Sequence, residues 1–323
     1  MFYLYIFSAL TVVSLLIVAN GLAIMHARAM SQFVNQGRRT SCIEKISIRE
    51  KARTLVCGVR IPRPQNTLTP AFLGFPFETG RISAKNGHLE VWVIRNDEAC
   101  AWGILFHGYS SSKDSLLEVA ARLHRLGMSV VLVDFHGSGG SFGSTTTIGF
   151  SEAQDVVDAV SWVRETYGEP APVLYGFSMG AAAILRAVAF HRVHARSLIL
   201  HASFDRMLTT VKHRFEMLHV PTFPAAELLV FWGGKLNRFN AFLHNPKDYA
   251  TQVTIPSLVL HGELDTRVTT EEAQSIFHAL RGKKVFHAFP TGVHDPVAEV
   301  PEAQWVDVVG SFLLRKVLAA SGR

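Results

Sequence analysis

From residue 75 to the C-terminus the chain repeats one pattern: a short apolar run rich in β-branched residues, a polar break, then an amphipathic stretch of helical period. The apolar runs fall at residues 89–94, 102–107, 129–135, 172–177, 197–202, 256–262 and 284–289, and the helical stretches at 115–126, 152–165, 179–190, 270–280 and 301–317. A strand that is apolar at nearly every position has both faces covered, and parallel neighbours need a crossover element between them. The expected fold class is therefore α/β: a mostly parallel central sheet with helices on both faces. Functional groups should lie beyond the carboxyl ends of its strands.

The N-terminus has a different character. Residues 2–25 carry no charged side chain, and residues 28–63 then hold nine basic residues against Glu44 and Glu50. That block has a net charge of +7 in a chain whose total is +6, so the remainder is close to neutral. An uncharged apolar run of more than ~20 residues beside a basic block describes a membrane boundary rather than a phosphate-binding groove. The Ala27-Arg28-Ala29 sequence matches the small-residue pattern of a signal cleavage site, which keeps export as the alternative. Residues 1–27 are read as a transmembrane anchor, 28–74 as a basic connector and 75–323 as the α/β domain, with an insertion at about 203–250. Basic residues hold their side of a span in the cytoplasm, so the domain is expected there. No nucleic-acid-binding signature accompanies the charge.

One turn demands a chemical explanation. Gly176-Phe177-Ser178-Met179-Gly180 joins the run ending at Phe177 to a helix opening with three alanines. Glycine weakens helices and strands alike, so two of them around one serine are not there for local stability. A strand–turn–helix carrying G-x-S-x-G is a nucleophile elbow, in which small residues two positions either side of the serine relieve the crowding of a sharp turn. A serine hydroxyl needs a base, and the base needs a carboxylate. Asp265 follows the run at 256–262, and His294 follows the run at 284–289. Glu263 competes with Asp265, and His287, inside a strand, reads as packing. Asp295 reads as the N-cap of a helix before Pro296.

On these residues the chain resembles the α/β-hydrolase superfamily from about residue 75 onward. The superfamily's HG-x-x-D-x-x-V pattern falls on His261, Gly262, Asp265 and Val268, and the chain order Ser178, Asp265, His294 is the one it uses. The resemblance implies Ser178 as nucleophile, His294 as base and Asp265 as its orienting carboxylate. It also implies an oxyanion hole from the backbone N–H groups of Tyr109 and Met179. No cofactor is required.

Other signals are weaker. The segment Asp134 to Ser144 is glycine-rich, but counting G-x-G-x-x-G from Gly137 reaches Phe142, and no nucleotide loop follows. It resembles the loop after the third core strand in a branch that also holds peptidases and thioesterases. Cys42, Cys57 and Cys100 are too few and too scattered for a disulfide framework or a metal site. His191 and His194 read as solvated surface, so no metal is expected. The insertion is dense in Phe, Leu, Met and Trp, consistent either with plain helix packing or with a lid over an apolar acyl pocket. The expected activity is hydrolysis of a carboxylic ester, a lipid or acyl thioester among the candidates. The alternatives are a serine peptidase and a non-catalytic membrane scaffold.

Overall fold

The computed structural model describes residues 1–35, 48–85 and 87–317. Cys42, Glu44 and three members of the basic block, Arg38, Arg39 and Lys45, lie outside the described residues. In chain order the elements are α1 (Phe2–Ser31), α2 (Ile48–Cys57), β1 (Glu78–Ala84), β2 (Gly87–Ile94), β3 (Ala101–Phe106), α3 (Leu117–Arg125), β4 (Met128–Val133), α4 (Glu152–Tyr167), β5 (Val173–Phe177), α5 (Met179–His191), β6 (Ser197–His201), α6 (Met207–Leu218), α7 (Ala225–Leu236), α8 (Pro246–Ala250), β7 (Ser257–Gly262), α9 (Thr270–Ala279), β8 (Lys284–Phe289) and α10 (Glu302–Val317). They form two compact units: Arg63–Arg206 with Asn245–Arg323, and Met1–Pro62 with Met207–His244.

The first unit is built on one eight-stranded sheet in the order β1-β2-β4-β3-β5-β6-β7-β8. From β4 through β3 to β8 every neighbouring pair is parallel; β1–β2 and β2–β4 are antiparallel. All residues of β4, β5, β6 and β7 are buried. Side chains alternate between two cores, as the strand period of two requires. Val131 and Val133 of β4 join Ala153 and Val156 of α4, Ile184 of α5 and Ile276 of α9. Val130 and Leu132 face the other way, into Leu123 of α3 and Trp305 and Phe312 of α10. Helices thus cover both faces, and the expected α/β architecture is present.

Three elements depart from the sequence reading. β1 has no apolar run, because only Ile82 of its seven residues is buried. It is an edge strand that pairs with β2 alone. The connector contains α2, and α8 precedes β7. Asp295 Oδ1 accepts from the N–H groups of Val297 and Ala298 at 3.0 and 2.8 Å, closing a turn; the following helix, α10, begins only at Glu302.

The second unit is helical. α1 has 30 residues and is long and apolar enough to cross a membrane. Its first part, from Phe2 to Val18, is exposed throughout, whereas Ala23, Ala27 and Ser31 are buried one turn apart. α7 packs along it, and Trp232 Nε1 donates to Asn20 Oδ1 at 2.9 Å. α2 is tied to the same end of α1, where a ring nitrogen of His26 stands 2.9 Å from the carbonyl of Leu55. Lys212 of α6 and Glu227 of α7 pair at 2.9 Å.

Candidate active site

Ser178 stands between β5 and α5 with φ 51° and ψ −110°, a left-handed backbone that non-glycine residues rarely adopt. Such strain costs on the order of 1–3 kcal/mol and persists only where its surroundings enforce it. Here they do. The Ser178 N–H donates to the His201 carbonyl at 2.8 Å, and its own carbonyl accepts from Ala181 and Ala182 at 3.1 and 3.2 Å to open the helix. A Cβ on Gly176 would lie 2.5 Å from the Ala181 nitrogen, and one on Gly180 would lie 2.2 Å from the Phe106 carbonyl oxygen. Both contacts are with backbone, so neither position tolerates a side chain. Ala181, Ala182 and Ala183 are fully buried, which lets α5 sit close on the sheet.

Asp265 and His294 come from loops after neighbouring strands, and a glycine pair brings them together. A Cβ on Gly262 would lie 2.4 Å from the Gly292 carbonyl, so the two backbones touch. The Glu263 N–H reaches the Phe289 carbonyl at 3.0 Å, and the Leu264 N–H reaches that of Gly292 at 2.9 Å. The capping box of α9, Thr269 with Glu272, fixes the far end of the Asp265 loop. His294 Nδ1 then lies 2.7 Å from Asp265 Oδ2. The other carboxylate oxygen accepts from the N–H groups of Arg267 and Val268 at 2.7 and 3.0 Å. Burial alone would raise the Asp265 pKa, but the His294 hydrogen bond and charge and these two N–H groups outweigh it and hold the carboxyl below its usual range. An ionised Asp265 can only accept, so in the neutral ring Nδ1 of His294 carries the proton and Nε2 is the acceptor.

The competitors are placed elsewhere. Glu263 is exposed. His287 lies in β8 with its ring 4.6 Å from that of Phe289, and burial lowers its pKa. His191 and His194 are both exposed.

The segment after β3 lies against the elbow: a Cβ on Gly108 would stand 3.6 Å from Ser178 Cβ and 3.0 Å from the Phe177 ring. Tyr109 follows directly, and Met179 is the first residue of α5. The loop is anchored by His107, whose Nε2 accepts the Phe135 N–H at 3.1 Å; burial, the largest influence, lowers its pKa. Beneath the site, His201 is also buried. Its pKa is pushed down to about 3, by burial first and then by His261 and His294, so the ring is neutral. The Tyr175 hydroxyl, kept protonated by burial, donates to His201 Nδ1 at 2.9 Å.

The glycine-rich segment after β4 serves a buried ion cluster. Lys113 Nζ contacts Asp134 Oδ2 at 2.5 Å and Glu90 Oε1 at 2.8 Å, with the Lys113 and Asp134 side chains fully buried. A Cβ on Gly139 would fall 1.9 Å from Asp134 Oδ2, and one on Gly140 would fall 2.1 Å from Glu90. Glycine is required because the backbone wraps the carboxylates. Arg63 closes the cluster from outside, donating to the carbonyls of Gly143 and Gly139 at 2.9 and 2.8 Å and to that of Ser141. Neither Lys113 nor Arg63 stands out in the sequence, since buried lysine is rare and a guanidinium bound to carbonyls leaves no motif. In the same loop, His136 Nδ1 lies 2.7 Å from Asp155 Oδ2 of α4, with Glu152 of that helix also close. Burial would lower the His136 pKa, but the two carboxylates prevail and raise it to about 9.

Comparison with known proteins agrees with this fold. The sequence profile of a hydrolase family described as serine aminopeptidase, S33, matches residues 97–246. An uncharacterized protein of Bacillus subtilis is 23% identical over 59% of this chain and 64% of its own length, just under two thirds of that relative. An uncharacterized membrane protein of Saccharomyces cerevisiae is 24% identical over 77% of this chain and 83% of its own. Among solved structures, an esterase of Pyrococcus furiosus superposes with a TM-score of 0.67 at 25% identity, covering 79% of this chain and 97% of that one.

Proposed function

The chain belongs to the α/β-hydrolase superfamily, and from that premise we propose that it is a serine hydrolase cleaving carboxylic esters through an acyl-enzyme. Ser178 Oγ attacks the ester carbonyl while His294 Nε2 takes its proton, and Asp265 holds the imidazole and stabilises the imidazolium. The N–H groups of Tyr109 and Met179 receive the oxyanion. The imidazolium then protonates the leaving alcohol. Water, activated by His294 in turn, attacks the acyl carbonyl and releases the acid and free Ser178. No step calls for a cofactor.

The observation that carries this reading is the 2.7 Å Asp265–His294 pair, held by the Gly262–Gly292 contact, with the His294 ring 5.0 Å from that of Phe177, the residue before the strained Ser178. The fit to an esterase fold supports ester cleavage, and the aminopeptidase description of the matching family keeps amide cleavage as a second reading. We read α1 as a membrane anchor with the catalytic unit on the cytoplasmic side, which favours lipid-like esters or thioesters as substrates.

Fluorophosphonate labelling of the full chain tests the enzyme reading. Wild type should label covalently and Ser178→Ala should not. Equal labelling of both would refute Ser178 as the activated nucleophile, and none of a well-folded wild type would favour a scaffold on a hydrolase fold. Turnover of aminoacyl amides with inert aryl esters would favour the peptidase.

A further inference from the structure

We propose that α7 of the insertion is a second membrane-contacting element, paired side by side with the end of α1 that leaves the bilayer and reaching the headgroup boundary of that leaflet with its exposed apolar side chains. The inference rests on reading α1 as a membrane span. It adds that the insertion contacts lipid itself.

Length sets the depth. At ~1.5 Å per residue a hydrocarbon core of ~30 Å takes ~20 residues. Counted from Phe2, the crossing ends near Asn20, and the exposed stretch of α1 stops there too, at Val18. Beyond it Ala23, Ala27 and Ser31 form a small-residue stripe that is buried within the unit. This part of α1 is therefore covered by protein and not by lipid.

At the crossover point stands Asn20, and both ends of its amide are satisfied. Its Nδ2 donates to the Leu16 carbonyl at 2.8 Å, and its Oδ1 accepts from Trp232 Nε1 of α7 at 2.9 Å. An indole with its N–H on a polar group and its ring among apolar side chains is the group favoured at the membrane interface. That hydrogen bond puts α7 level with the end of the span.

The composition of α7 suits the same depth. Glu227 and Lys235 are its only charged residues. Glu227 is neutralised by Lys212 of α6, and Lys235 stands over the Phe231 ring at 5.8 Å. Lys235 thereby covers an apolar ring with its stem while its ammonium can reach phosphates. Phe231 and Leu236 are exposed on the helix, with Phe223 76% exposed just before it and Leu243 67% exposed after it. Large apolar side chains clustered in the open mark an interaction surface, and continuity with α1 identifies lipid as what covers them.

Depth-dependent quenching tests this on the full chain. With Cys42, Cys57 and Cys100 replaced by Ser, single cysteines Leu10→Cys, Phe231→Cys and Leu236→Cys each carry an environment-sensitive fluorophore. All three positions are exposed, so labelling should leave the fold intact. The protein is reconstituted in phosphatidylcholine vesicles containing phosphatidylglycerol, with lipid nitroxides near the glycerol or near the acyl-chain ends. The expected result is that the Leu10 site is quenched by the deep nitroxide and both α7 sites by the shallow one. Quenching at Leu10 with none at Phe231 and Leu236 overturns the proposal and leaves the anchor standing. Strong quenching of the α7 sites by the deep nitroxide overturns it as well. No quenching at any of the three sites refutes the span and the proposal with it.

Discussion

Replacing Asp265 by Asn changes one atom and should remove most of the activity. Oδ1 of Asp265 accepts two backbone N–H groups, and Oδ2 faces His294 Nδ1. A carboxylate satisfies all three donors, whereas an amide has one acceptor and one donor to distribute. Turning its NH2 toward Arg267 and Val268 would forfeit two hydrogen bonds at ~1 kcal/mol each and set donors against donors in a buried place. The amide oxygen should therefore stay on the two N–H groups. That leaves the NH2 facing His294, which must then accept at Nδ1 and carry its proton on Nε2. A protonated Nε2 cannot take the serine proton. Serine hydrolases with the wrong tautomer lose ~10⁴-fold, about 5.5 kcal/mol at 1.36 kcal/mol per decade. For Asp265→Asn we expect a loss of ~10³-fold or more, read as the rate of fluorophosphonate labelling and of aryl ester hydrolysis. Circular dichroism should be unchanged, and Glu263→Gln, at an exposed position, should behave as wild type. Activity within tenfold of wild type in Asp265→Asn would refute the assigned role of the pair.

Three further outcomes are expected. His294→Ala should lose ~10³-fold or more in turnover while staying folded, and His287→Ala, which removes a ring packed on Phe289, should lower the melting temperature with turnover within a few-fold of wild type; a reversed result would move the base to His287. His136 has a folded-state pKa raised from 6.5 to about 9 by Asp155 and Glu152, so its contribution is full below pH ~6.5 and is lost as pH rises through ~9, roughly 3 kcal/mol over that window. The urea midpoint of the full chain in mild detergent should fall between those pH values and do so less in His136→Gln; parallel curves would rule the charged pair out. Protease added to intact cells or spheroplasts should spare the catalytic unit, and its digestion from outside, or a mature N-terminus at Met30, would reverse the orientation assigned from the basic block.

The placement of Ser178, Asp265 and His294 in turns after strands is legible because backbone geometry there leaves a trace in sequence. The elbow forces glycine at 176 and 180 after β5, and the Asp265 loop follows β7; both strands are buried throughout, which writes a continuous apolar run. The His294 loop instead follows β8, buried only at Phe289 and interrupted by His287. Where burial is one-sided or absent, the trace fades. β1, with six of its seven residues at least partly exposed, has no run to recognise. α2 is a short charged helix in a basic stretch that reads as connector. Gly292, without which the Asp265 and His294 loops would stand apart, has no motif of its own because its constraint comes from a strand far along the chain. The same holds for Lys113: its two carboxylate partners lie 23 and 21 residues away, and only the fold joins them.

The clasp of Arg63 decides where this chain can be cut. Apolar patterning places the start of the folded domain near residue 75, yet stitches to the catalytic unit begin twelve residues earlier, with the Arg63 guanidinium on the carbonyls of Gly139 and Gly143. They continue with Pro64 accepting from Gly139 at 3.0 Å, Asn66 donating to Asp134 at 2.8 Å and the Thr67 N–H donating to Asp114 at 2.8 Å. Asp134 is the carboxylate that Lys113 neutralises in the interior. A truncation at residue 75 would strip a hydrogen bond from that buried ion and unlatch the loop after β4. One beginning before Arg63 keeps every one of these bonds, and the apolar helix can then be removed without opening the catalytic unit at its seam.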